Sequence, residues 1–210
     1  MGPGARGHRR GCPASDQVTP GSRPATEARV VPQKDEPTLE PLDDEVDHIR
    51  GPSAGRLILE YGDYECPYSR HAFHQIEIVE KRLDGGIRFA FRHFPLTEIH
   101  PHALAAAAVA EAASFQGRFW EMHELLFHRQ RALEDDDLRQ YADELELDVA
   151  RFDHDRTGAE VAARIRRDVD SGIASGEVRG TPTLFIDGLV HLGGHDAATL
   201  MEALDAGQER

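Results

Sequence analysis

The sequence predicts an α/β domain whose single sheet is assembled from two distant strand segments with a block of helices between them. Three observations carry this. RLILEYGDY (56–64) and IRFAFRHF (87–94) are strand-like runs on either side of a helical stripe. The stretch from 100 to 174 reads as helices. GTPTLFIDG (180–188) then returns to strand and passes through Asp-Gly, a strong hairpin signal, into LVHLGG (189–194).

Residues 1–46 are rich in Gly, Pro, Arg and acidic residues and have no apolar period, so they are expected to form a disordered tail ahead of a domain at 47–210. Regular structure is expected from Arg56. After Cys66, Pro67 suits the first turn of a helix, and Ala72, Phe73, Ile76, Val79 and Leu83 follow at helical spacing. Asp84-Gly85-Gly86 ends that helix. Four helices are expected next, at 100–115, 119–130, 134–147 and 157–174. The last has Val161, Ile165, Val169 and Ile173 on one side. A final helix is expected at 196–204. The order β-α-β, four helices, β-β-α makes residues 98–176 a helical insertion.

Composition excludes some function classes. There are 38 acidic against 24 basic residues, a formal charge of −14, which argues against a nucleic-acid partner. No apolar run is long enough to span a membrane. The opening residues MGPGARGHRRGCPASDQ lack the apolar stretch of a signal peptide, so the expected location is the cytoplasm. Two cysteines, Cys12 and Cys66, do not make a disulfide framework.

Chemistry concentrates at GDYECPYS (62–69). A cysteine at a helix N-terminus meets unpaired backbone N–H groups and the positive end of the dipole, and both favour the nucleophilic thiolate. Pro67 fixes the turn, and Tyr68 can shield the flank of the sulfur. Thr181-Pro182 opens a strand, where proline is poorly tolerated unless it is cis and its backbone faces a site. The preceding backbone would then be free to pair with an extended peptide. Inert burial of Cys66 as a small hydrophobe is the competing reading.

DHIRGPSAGRLILEYGDYECPYS, FRHFPLTEIHPHALAAAAVAEAASFQGRFWEMHELLF and GTPTLFIDG together resemble the DsbA-like branch of the thioredoxin superfamily. The likeness is to the soluble thioredoxin-like domains of bacteria that occur alone or fused behind sodium/proton antiporters of the NhaA type, and it covers about residues 47–205. The resemblance implies a thioredoxin fold with an inserted helical domain. It implies that Cys66 is the nucleophile and that Thr181 and Pro182 form a cis-proline substrate loop beside Pro67 and Tyr68. The departure is Ser69, which stands where the family's dithiol pattern has its second cysteine. A serine hydroxyl cannot resolve a mixed disulfide, so what remains is monothiol exchange completed by an external thiol. Ser69 is expected to assist by donating a hydrogen bond to the Cys66 sulfur.

The expected partners are protein or peptide thiols and disulfides, with a low-molecular-weight thiol as the sole co-substrate and no other cofactor. Cys12 can reach Cys66 along a flexible tail, but nothing orients it. His71 and His74, His100 and His102, and His123 and His128 show no zinc-ligand spacing and read as surface or helix-terminal residues, so no metal is expected. Glu134-Asp135-Asp136-Asp137 reads as a helix start. Two functions stand after this reading. One is a thiol-disulfide oxidoreductase with a CxxS site. The other is a catalytically weak peptide-binding or regulatory module on the same fold.

Overall fold

Near-continuous apolar runs at 57–61 and 87–91 need cover on both faces of a sheet, and the fold supplies it. The computed structural model describes residues 39–207. The expected tail over 1–38, and Cys12 with it, lies outside the described residues. The elements in chain order are β1 (His48–Arg50), β2 (Arg56–Gly62), α1 (Pro67–Leu83), β3 (Ile87–His93), α2 (Ala103–Ser114), α3 (Phe119–His128), α4 (Asp135–Glu144), α5 (Val149–Asp155), α6 (Ala159–Ser175), β4 (Thr183–Ile186), β5 (Leu189–Val190) and α7 (Ala197–Ala206).

The five strands form one sheet in the order β1-β3-β2-β4-β5. β2 and β3 run parallel, with Ile58 opposite Phe89 and Glu60 opposite Phe91. β4 is antiparallel to β2, β5 to β4, and β1 to β3. The two expected strand segments therefore meet in one sheet, and α2 to α6 lie between β3 and β4. On one face Ile58, Phe89 and Phe91 pack with Phe73, Ile76 and Val79 of α1, with α2 to α5, and with Leu200 and Leu204 of α7. On the other face Leu59, Tyr61, Ala90 and Phe185 pack with Val178, Leu39 and Leu42.

Local chemistry explains the boundaries. Cys66 is the N-cap of α1, and Pro67 occupies the first turn. Asp84 and Gly85 end the helix with φ of 39° and 81°, the left-handed region that suits a helix stop. Asp187 and Gly188 also have positive φ, 47° and 84°, as the Asp-Gly hairpin turn requires.

The structure corrects four expectations. Order begins before Arg56: residues 39–46, assigned to the tail, lie against the sheet, and β1 adds an edge strand. The helical block has five members, because Asp148 caps α5 by accepting the Arg151 N–H at 3.0 Å. β5 stops at Val190, after which the His191 ring closes a turn onto the Gly194 carbonyl at 2.9 Å. Ile173 is 62% exposed, because the end of α6 turns Asp168, Ser171 and Gly172 toward the sheet instead. Asp168 accepts the His93 N–H, and Ser171 shares a hydrogen bond with the Tyr61 hydroxyl.

The segment before β1 is held by one side chain. Arg92 is fully buried and all five of its N–H groups are engaged. Nε and Nη2 donate to the two Asp47 oxygens at 2.9 Å each, Nη1 to the Tyr61 hydroxyl and the Glu40 carbonyl, and Nη2 to the Pro41 carbonyl. Burial would raise the Asp47 carboxyl, but hydrogen bonds from Arg92 and Arg167 bring it down from 3.8 to about 2.

Removing one partner leaves the other charge buried and uncompensated, so Arg92→Met is expected to cost about 3–5 kcal/mol and to lower Tm by roughly 10 °C. Denaturant unfolding checks this, and a loss under about 1 kcal/mol would show that the pair is not structural. The folded pKa of Asp47 is depressed, so its contribution is full above its ordinary value of 3.8 and is lost as pH falls toward about 2.

Candidate functional site

The loop from Gly62 to Cys66 leaves the C-terminal end of β2 and enters α1. The Cys66 N–H donates to the Asp63 carbonyl at 3.1 Å, and the Cys66 carbonyl accepts from Arg70 at 3.1 Å in the first turn of α1. The sulfur faces the loop ahead of β4. Cys66 Sγ donates to the Thr181 carbonyl oxygen at 3.2 Å, and the Thr181–Pro182 peptide is cis. Two segments 115 residues apart in sequence thus meet at one atom. Cys66 is only 3% exposed, while Pro67 lies at the surface and Tyr68 is 70% exposed. Thr181 and Pro182 are half-buried.

Ser69 is fully buried, and its hydroxyl accepts the Asp63 N–H at 3.3 Å. Among the described residues it makes no hydrogen bond to the Cys66 sulfur, so the expected serine-to-sulfur bond is replaced by a bond within the loop. Tyr68 points to solvent and does not cover the sulfur.

Side chains that the sequence did not single out hold this loop still. Asp63, 2% exposed, accepts from Glu65 N through Oδ1. Through Oδ2 it accepts from Leu96 N at 2.9 Å and pairs with His100 Nδ1 at 2.8 Å. Glu65 Oε2 accepts the His102 N–H at 2.6 Å, at the start of α2. From the far side, Gln130 Nε2 donates to the carbonyls of both Tyr64 and Cys66 at 2.8 Å. The helical insertion therefore fixes the backbone on both sides of the cysteine. His100 and His102, read as surface or helix-terminal residues, belong to this seam, and His102 is indeed the N-cap of α2.

Beneath the loop lies a buried polar cluster. His123, read from sequence as a surface residue, is fully buried, and its Nδ1 shares a hydrogen bond with the Tyr64 hydroxyl at 3.0 Å. Burial, with the nearby Arg50 charge, holds His123 well below its ordinary value, so it is neutral. Glu111 takes Nε2 of His48 at 2.7 Å and Nε2 of His93 at 3.0 Å on one oxygen, and Arg164 at 2.6 Å on the other. Burial would raise Glu111, yet the two histidine bonds hold it well below the usual range. His48, His93 and Glu111 are the described residues whose ligand atoms come close enough to hold a metal ion. The Arg164 guanidinium already supplies the positive charge there, so the set is complete as an ion-paired network.

Glu60 is different. It sits on β2, fully buried, and neither carboxyl oxygen has a partner among the described residues. Its Oε1 lies 2.9 Å from where a Cβ would stand on Gly62, at the start of the cysteine loop. Burial raises the group from 4.5 to about 8, against the opposing charge of Arg50. A carboxylic acid poised near neutrality thus lies under the strand end that carries the cysteine loop.

A family model, Thioredoxin, matches residues 43–206. The Na(+)/H(+) antiporter NhaA 1 of Mycolicibacterium gilvum is 41% identical over 173 residues, 81% of this chain and 28% of that protein. NhaA 1 of Salinispora arenicola is 44% identical over 166 residues, 78% of this chain and 25% of that protein. The chain thus spans about a quarter of the length of these curated relatives. Among solved structures, a thioredoxin-like oxidoreductase from Silicibacter pomeroyi superposes with a TM-score of 0.70 at 24% identity, covering 80% of this chain and 95% of that one. BdbD from Bacillus subtilis gives 0.70 at 18% identity, with 83% and 100% covered. Alpha-DsbA1 of Wolbachia pipientis gives 0.67 at 19%, with 80% and 92% covered. The fold is thioredoxin-like, of the DsbA-like kind.

Between pH 4.5 and about 8 the folded protein keeps a Glu60 proton that the unfolded chain has lost. Stability therefore falls as pH rises through that window. Glu60→Gln should leave Tm at pH 5 nearly unchanged and raise it by about 10 °C at pH 8. Thermal melts across pH check this, and parallel profiles for variant and wild type would refute the raised pKa.

Proposed function

The chain belongs to the thioredoxin family, and from that premise we propose that it is a thiol-disulfide oxidoreductase working through one sulfur, Cys66. The observation that carries this reading is the meeting of Cys66 Sγ with the Thr181 carbonyl ahead of a cis proline, at the N-terminus of α1. In this reading a thiolate at Cys66 attacks a disulfide of a protein or peptide. One sulfur of that disulfide bonds to Cys66, and the other leaves as a thiolate. An external low-molecular-weight thiol then attacks the Cys66 mixed disulfide, regenerates Cys66 and leaves as a disulfide with the departing group. Pro67, Tyr68, Thr181 and Pro182 line the approach. The backbone of Thr181 offers an edge against which an extended peptide can lie.

Ser69 has a conformational part in this scheme. Its hydroxyl ties the first turn of α1 back to Asp63, and it supplies no resolving nucleophile. The reaction needs no cofactor beyond the second thiol. Among the described residues no helix is long and apolar enough to cross a membrane, and the reading concerns this domain alone.

A second reading is favoured by one observation: Cys66 is 3% exposed, with its sulfur occupied by the Thr181 carbonyl. A site that keeps the peptide edge while the sulfur stays covered would act as a binding or regulatory module with little turnover.

Two variants separate these readings. Cys66→Ser should abolish exchange on a peptide disulfide, and the wild type should need added thiol to turn over. Ser69→Cys places a second thiol three residues on, in the first turn of α1, within disulfide reach of Cys66. It should turn over without added thiol. Insulin reduction and oxidative refolding of a reduced peptide, each with and without a small thiol, provide the assay. An inert Ser69→Cys protein whose new disulfide forms normally would favour the binding module.

A further inference from the structure

One cleft beside Cys66 is cationic, although Asp63 and Glu65 carry carboxylates on the cysteine loop itself. Although the formal charge is −14, the cleft against the first turn of α1 is lined by Arg70, His128, Arg129, Gln130, Arg131 and Ala132. Its position relative to the site is fixed by two contacts. Arg70 lies one turn beyond Cys66 on α1 and donates its N–H to the Cys66 carbonyl. The Gln130 amide donates to that same carbonyl at 2.8 Å. Two lining residues of the cleft therefore meet Cys66 at its backbone carbonyl, while the sulfur turns toward Thr181.

Acidic side chains nearby already have partners, and one of them, Glu144, neutralises Arg129 at the cleft itself. Glu144 pairs with Arg129, Asp135 with Arg156, and Glu134 with His102, while Asp137 accepts the Glu134 N–H. Arg70 and Arg131 have no carboxylate within ion-pair distance among the described residues. Most of the other described arginines do: Arg50, Arg56, Arg88, Arg92 and Arg118 are each paired with an acid. Two uncommitted guanidinium groups sharing one cleft are suited to a carboxylate-bearing ligand, which each can bind through a forked pair of N–H groups.

We propose that this cleft selects the co-substrate of Cys66: a small thiol carrying carboxylates, held by Arg70 and Arg131 while its sulfur reaches Cys66. The inference rests on the monothiol reading and deepens it. With such a thiol, RSH, the balanced sequence starts from a protein mixed disulfide with RSH. Cys66 thiolate attacks the RS sulfur, forming Cys66–S–SR and releasing the protein thiolate. A second RS⁻ then attacks that sulfur, freeing Cys66 thiolate and leaving as RSSR. One disulfide is consumed and one formed, and each released thiolate takes up the proton given by an entering thiol. A tripeptide-sized thiol spans about 10 Å when extended, enough to link a guanidinium one helical turn away to the sulfur.

The test uses the full chain carrying Cys12→Ser, with Cys66 converted to its neutral 2-pyridyl disulfide. Release of 2-thiopyridone is timed with glutathione, 2-mercaptoethanol and cysteamine, each rate divided by that on an unstructured cysteine peptide bearing the same label. Glutathione should be favoured over 2-mercaptoethanol, and cysteamine disfavoured. Arg70→Glu and Arg131→Glu together should lower the normalised glutathione rate by about threefold to tenfold and leave 2-mercaptoethanol unchanged. The preference should also shrink as salt is added. Equal normalised rates for the three thiols in the wild type would overturn the proposal. So would a stronger preference for an acidic cysteine peptide than for glutathione, since the cleft would then serve a protein partner. If Cys66 in the folded chain cannot be labelled, the monothiol reading fails on its own terms. S-methylglutathione titrated into the folded protein and followed by NMR then decides the cleft. Saturable shifts at Arg70 and Arg131, lost in Arg131→Ala, would uphold it, and no shifts would overturn it.

Discussion

A buried guanidinium tolerates no vacancy among its donors, and Arg92 sets the order of the elements around it for that reason. Its five N–H groups reach Asp47, Tyr61, and the carbonyls of Glu40 and Pro41. Together the bonds recruit three pieces of chain: the approach to β1, the C-terminal end of β2, and the segment that covers the sheet. Asp47 carries the tie onward to Arg167 on α6. An unsatisfied buried donor costs on the order of 1–3 kcal/mol, so these pieces are held jointly. The back of the sheet is closed by polar satisfaction as much as by Leu39, Leu42 and Val178.

The opposite face follows another logic. There the cysteine loop rests on a layer of aromatic and titratable side chains, and the helical insertion grips the loop through Asp63, Glu65 and Gln130. All three act on or through backbone groups, so the grip fixes the path of the chain more than it fixes any one rotamer. Cys66 gains its orientation from that path. Its neighbour in chemistry, Thr181, arrives from the other end of the sequence because β4 pairs with β2 in a register that sets Tyr61 against Thr183. Sheet register and loop anchoring together bring the sulfur and the carbonyl within 3.2 Å.

Much of this was legible in the residues. The split strand pattern, the α1 stripe from Ala72 to Leu83 and the Asp-Gly turn are local signals, and the structure keeps all three. CPYS before a helix and TPT before a strand pointed to the pair of segments that meet at Cys66. What escaped is nonlocal. Residues 39–46 are held by the Glu40, Pro41 and Val46 carbonyls and by side-chain partners far along the chain, such as Arg88 for Asp44 and Arg167 for Glu40, so no local pattern announced their order. α5 buries only Phe152 and offers no period to read. Gln130 reaches back 64 residues to the Cys66 carbonyl, and nothing near it in the chain marks that role. His123 and Glu60 did carry a signal, since each lies within an apolar stretch that has to be buried. Ser69 was placed correctly in the first turn, but its hydrogen-bond partner depended on where the Asp63 amide happened to point.

The seam between the insertion and the cysteine loop has a consequence for how the domain breathes. Leu96 and His102 donate their amide hydrogens to Asp63 and Glu65, and Phe94 donates to Gly62. These groups cannot open one by one without stranding a partner, whether the Asp63 or Glu65 carboxylate or the buried Gly62 carbonyl. The loop, the start of α2 and the turn after α3 thus constitute a single cooperative unit of local unfolding. Excursions of the insertion and exposure of the sulfur are then one event on one timescale, and a partner that grips the helices would change the reactivity of Cys66 without touching it.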